Sequence, residues 1–145
     1  MKLRARVSGR RSSAGQAMVE FTFTLGAFIV LTFAIFEMAL AVLAYNSVSF
    51  AASEAARYAV ALGPNSPNPA TPAQIEQVAI SAGGGLNLTT SNVTVSWVSD
   101  PILTTREDVV VTVTYPYHVS IPFLWPHDIS DSINLTSSAQ MLASQ

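Results

Sequence analysis

The chain has 145 residues, half of them hydrophobic and 11% charged, which leaves room for one modest domain and argues against a multidomain enzyme. Its net charge of −2 hides two opposed parts: five basic residues up to Arg11 give +5, and two basic with nine acidic residues beyond it give −7. That balance argues against nucleic acid as a partner. The lack of cysteine removes disulfides, Cys-ligated zinc and thiol chemistry.

In chain order, residues 1–15 form a basic leader, with Lys2, Arg4, Arg6, Arg10 and Arg11 and no acid. Phe21 to Phe36 carries no charge, and the apolar character continues past Glu37 to Tyr45. Residues 16–45 are thus long enough to cross a bilayer as a helix. The Lys/Arg cluster on the N-terminal side places that end in the cytoplasm and the rest of the chain across the membrane. A secretory signal peptide is the competing reading, with Ala39-Leu40-Ala41 as its cleavage site. It fits poorly, because a signal core is about 7–15 residues long, and this run is longer and contains Glu37.

Residues 46–62, "NSVSFAASEAARYAVAL", are rich in alanine and free of Pro and Gly until Gly63-Pro64, so one helix is expected from Gln16 to Leu62. Val48, Ala51, Ala52, Ala55 and Ala59 recur at three- and four-residue spacing, a stripe suited to close packing against a sheet or another helix. Glu54 and Arg57 are three apart and positioned to pair, with a solvated salt bridge as the simplest reading. The linker 63–71 contains Pro64, Pro67 and Pro69 and is followed by Pro72, and these prolines preclude regular structure before that point. A short helix is expected there: Thr71 caps it, Gln74 completes a capping box, and Gly83-Gly84-Gly85 stops it.

The period then changes to two. Val93, Val95 and Trp97 alternate, and so do Val109, Val111, Val113 and Tyr115, which predicts two antiparallel strands. Tyr117 to Ile121 and Ser132 to Leu142 are two further strand candidates, interrupted by Pro122 and Pro126. The fold class is α+β: a long N-terminal helix, with residues 72–145 forming a small α+β domain on an antiparallel sheet.

Nothing in this domain assembles into a catalytic, cofactor or metal constellation. His118 reads as a strand residue, and His127, Asp128 and Asp131 read as a capped turn whose spacing matches no metal-ligand pattern. Gly83-Gly84-Gly85 lacks the Lys-Ser/Thr of a phosphate loop. Asn87, Asn92 and Asn134 satisfy a glycosylation pattern that Thr-rich strands produce readily by chance, and no function is assigned to them.

The specific signal lies at the start. Gly15 follows the basic leader, Glu20 comes five residues later, and Phe21 opens the apolar run, so that "GQAMVEF" resembles the processing site of a type IV pilin of the Flp and tight-adherence group. Further residues resemble the TadE-like pseudopilins: Glu37 in "AIFEMAL", Asn46 in "LAYNSVSFAA", and "AASEAARYA" with Glu54 and Arg57, in which Ala55 stands where that family usually has Gly. "VVVTVTYPY" and "LTSSAQML" resemble its closing strands more weakly.

The resemblance implies cleavage between Gly15 and Gln16 by a prepilin peptidase, which removes all five leader charges and exposes an amine on Gln16. Glu20, about one turn along, or on a neighbouring chain, would then stabilise that amine, since either charge buried alone in lipid costs about 2.5–3.5 kcal/mol. Glu37 is expected to face protein or the outer interface. The resemblance further implies a pseudopilin or minor pilin of the cytoplasmic (inner) membrane. Its expected partners are the peptidase, the major pilin and related pseudopilins, the inner-membrane assembly platform and membrane lipid. Its C-terminal domain would be periplasmic or extracellular, and no enzymatic activity is expected. Two alternatives stay open: a plain single-pass anchor displaying a binding domain, and a secreted domain released near Ala41.

Overall fold

The computed structural model describes residues 10–64, 66–99, 107–119 and 132–143. Its first helix, α1, spans Arg10–Ala61 without interruption, and its 52 residues measure about 78 Å at about 1.5 Å per residue. The helix therefore begins inside the basic leader and not at Gln16, because nothing between Arg10 and Gln16 breaks it: Gly15 keeps helical geometry with open space around it. Hydroxyls within the apolar stretch satisfy themselves locally. Thr22, Thr24 and Thr32 each donate to the carbonyl four residues back at 2.8 Å, the arrangement that lets a polar side chain sit among apolar ones.

The upper part of α1 is the stem on which the domain is built. Val48, Ala51, Ala52, Ala55 and Ala59 are all fully buried, as their spacing predicts, and Ala56 joins them. Alanine methyls let backbones approach closely, so this face accepts both the second helix and the sheet. At the top, the amide of Ala70 donates to the carbonyl of Leu62 at 2.8 Å, closing the Pro-rich loop and returning the chain along α1.

Helix α2, Pro72–Ala82, carries the expected capping box: Gln74 N donates to Thr71 Oγ1, and Thr71 N donates to Gln74 Oε1 at 2.9 Å. Ile75 and Ala79 are buried in the core shared with α1. The helix stops where Gly84 and Gly85 take φ of 57° and 92°, values that residues with a Cβ rarely adopt.

A 3-10 turn, Thr90–Asn92, leads into a three-stranded antiparallel meander of β1 (Val93–Ser99), β2 (Glu107–His118) and β3 (Ser132–Ala143), with β2 in the centre. Register places Val93, Val95 and Trp97 opposite Val113, Val111 and Val109, so the alternating apolar residues share the face turned to α1. The other face is ruled by hydroxyl and amide pairs, among them Thr112 with Ser138 at 2.8 Å and Gln140 Nε2 donating to Asp108 at 2.9 Å.

One expectation needs correction. Tyr117 does not open a strand of its own: Tyr115, Pro116, Tyr117 and His118 all belong to β2 and pair with β3. Pro116 is tolerated because β1 pairs no further than Val113, so among the described residues no ladder to β1 needs an N–H at that position. Ser132 to Leu142 is a strand as expected, while Ile121, Pro122 and Pro126 lie outside the described residues.

Candidate functional site

The residues singled out by sequence fall into three groups along α1. Gly15, Gln16, Glu20 and Phe21 lie on its exposed N-terminal stretch, with Glu20 four residues and so about one turn above Gln16. Nothing crowds Gly15, and Phe21 is exposed. Glu37 is 21 residues above Gln16, roughly 32 Å along the axis. Asn46, Glu54 and Arg57 are on the stem. Asn46 and Arg57 are exposed, and Arg57 Nη1 meets Glu54 Oε1 at 3.2 Å. This is the solvated pair that the spacing predicts, worth at most a few tenths of a kcal/mol as an exposed helix pair.

Glu37 has a partner that the sequence does not suggest directly. Tyr117 Oη, on the last turnward stretch of β2, donates to Glu37 Oε1 at 2.9 Å and lies 3.5 Å from the Glu37 carbonyl oxygen. The carboxylate therefore faces protein, at the level where the sheet ends. Burial, then the hydrogen bond to Glu37, then the negative charge of Glu37 itself push the Tyr117 phenol up to about 12 from 10.0. The strand alternation that continues from Val113 through Tyr115 was the available sign that Tyr117 points to the helix. The depth on α1 at which it arrives depends on three-dimensional packing.

The remaining candidates are not brought together. His118 is exposed at the end of β2. His127, Asp128 and Asp131 lie outside the described residues, and among the described residues no group of three or more His, Asp or Glu is placed to hold a metal ion. Asn92 Oδ1 accepts from Thr89 N at 2.9 Å and so caps the 3-10 turn, while Asn87 and Asn134 are exposed. Hollows on the surface of the described residues include one of about 530 Å³ lined by the apolar side chains of Leu31, Ala34, Ile35, Met38, Ala39 and Val42 of α1, and another of about 410 Å³ between Trp97 and Pro64, Pro69 and Ala70.

The fold and these residues define a class first: a protein with, among the described residues, one helix, within Ala14–Ala61, long and apolar enough to cross a membrane, bearing a small α+β domain on its far end. Residues 15–57 match the family model described as TadE-like protein, so the chain is TadE-like over the stretch that holds Gly15, Glu20, Glu37, Asn46, Glu54 and Arg57. The match associates it in general terms with a Tad pilus assembly system. No curated protein and no solved structure matches the chain at a significant level.

Proposed function

We propose that this protein is a non-enzymatic pseudopilin or minor pilin of a tight-adherence pilus or its secretion apparatus, matured by a prepilin peptidase between Gly15 and Gln16. The observation that carries the reading is the coincidence of "GQAMVEF" with the start of an apolar helix that continues unbroken into the stem of the outer domain. Cleavage there removes the five leader charges and leaves the domain untouched. The new amine and Glu20, one turn apart, then offer a charge pair in lipid that sets the register of one helix against another. The major pilin, related pseudopilins and the inner-membrane platform are the partners of this reading, with the N-terminus in the cytoplasm and the α+β domain outside.

Release near Ala41 is disfavoured on physical grounds, since it would strip Glu37 from Tyr117 and cut the helix just below the buried stem. The continuity of α1 through Gly15 favours a second reading, a fixed anchor that keeps its leader. Intact mass and N-terminal sequencing of the protein from its own host separate the two. A chain that starts at Gln16 in the wild type and at Met1 in Gly15→Leu supports maturation; Met1 in both makes it a fixed anchor.

A further inference from the structure

The sheet ends against α1 at one level. Tyr117, the penultimate residue of β2, reaches Glu37, and its register partner on β3 is Ile133. Ile133 lies on the helix-facing side of the sheet, yet it remains 55% exposed, whereas Ala139 and Met141 higher on the same strand pack into the core. An apolar side chain and an amphipathic phenol thus stand together at the lower end of the described sheet. Below them α1 carries no charge from Phe21 to Phe36.

Two lengths locate that end. From Gly15 to Glu37 is 22 residues, about 33 Å of helix, against a hydrocarbon core of about 30 Å. A span from Gln16 to Tyr45 would instead measure about 44 Å and need a tilt of about 47°, beyond the usual range of about 0–40°. At that tilt it would also sink Glu37 about 8 Å below the surface, and with it the end of the sheet, where β2 beyond Val113 has one described neighbour. Open strand edges do not occur in hydrocarbon, because their N–H and C=O groups find no partner there.

We propose that the foot of the sheet, Tyr117 and Ile133 above Glu37, is a lipid-contact surface seated in the outer headgroup layer, so that the bilayer crosses α1 between Gly15 and Glu37. The proposal rests on the membrane-anchored reading and adds to it a second point of contact that fixes the depth of insertion. Tyrosine is suited to this level, with a ring that tolerates the acyl boundary and a hydroxyl that stays hydrogen-bonded. Glu37 belongs at the interface for the same reason, since its carboxylate has the Tyr117 hydroxyl as a protein donor and a charge is costly deeper in the hydrocarbon.

The chain has no cysteine, so single-cysteine variants of the full protein report cleanly. In vesicles of phosphatidylethanolamine and phosphatidylglycerol, an impermeant maleimide added outside is expected to label Tyr45→Cys and spare Phe28→Cys. A bimane on Ile133→Cys is expected to be quenched more by lipids brominated near the headgroup than by lipids brominated deep in the chain. Absence of quenching by either lipid, or stronger quenching by the deep bromines together with protection of Tyr45→Cys, would overturn the proposal. Labelling of Phe28→Cys would sink the membrane-anchored reading itself.

Discussion

Glu37 and Tyr117 are eighty residues apart in the chain and 2.9 Å apart in the fold. A carboxylate amid apolar residues is legible in sequence as a group that needs a partner, since burying it unpaired is costly. Which partner it finds is not legible, because that depends on how far down the helix the sheet extends. Tyr117→Phe removes the donor and is expected to lower stability by about 1 kcal/mol, read by thermal unfolding in mild detergent; Glu37→Gln keeps an acceptor and should cost less. The phenol also gives a sign to the alkaline limit. Its ionisation is pushed up from 10.0 to about 12 by burial first and by Glu37 second, so its contribution to stability is complete below pH 10 and disappears as pH rises through 12. The wild-type minus Tyr117→Phe difference in tyrosinate absorbance should be centred near pH 12; a centre near 10 would mean that the phenol does not face Glu37.

Among the elements, the alanine stem is the part most fully written in sequence. Five small residues at three- and four-residue spacing announce a face that something must approach closely, and all five are fully buried. Ala55 tests the tightness of that face from both sides. Ala55→Leu adds three carbons where none fit and is expected to destabilise by about 1–3 kcal/mol. Ala55→Gly keeps the close approach and costs about 1 kcal/mol in helix propensity. Thermal melts of the two variants against wild type check the order; an Ala55→Leu protein as stable as wild type would mean that the stem is not packed as described. The capping box of α2 was equally legible, since Thr71, Pro72 and Gln74 are local signals, and Thr71→Ala should cost about 1 kcal/mol. The extent of β2 was not: the alternation reads as ending at Tyr115, with a separate strand from Tyr117, whereas β2 runs through Pro116, beyond Val113 where β1 begins to pair.

For the whole molecule, the α+β class and the long helix follow from the change of period after Gly85, because amphipathic spacing reports which faces are buried without reporting the tertiary arrangement. The seat of the domain relative to the span is a global property, set by strand length against helix rise. The motif at Gly15 is local and so was readable; whether the chain is cut there is tested by the N-terminus of the native protein. Accessibility of Tyr45→Cys and Phe28→Cys tests the seat. These outcomes are independent, since a retained leader changes neither the stem nor the foot.

The unbroken α1 has a mechanical consequence. Fifty-two residues without a proline form a rod, and its upper third is gripped on one side by α2 and the sheet. No proline separates the buried stem from the apolar segment below it, so a load applied to the α+β domain passes along the rod to that segment as axial force. A displacement or rotation of the apolar segment is likewise delivered to the α+β domain without slack. The Pro-rich loop begins only after the rod ends at Ala61, so no proline interrupts that transmission.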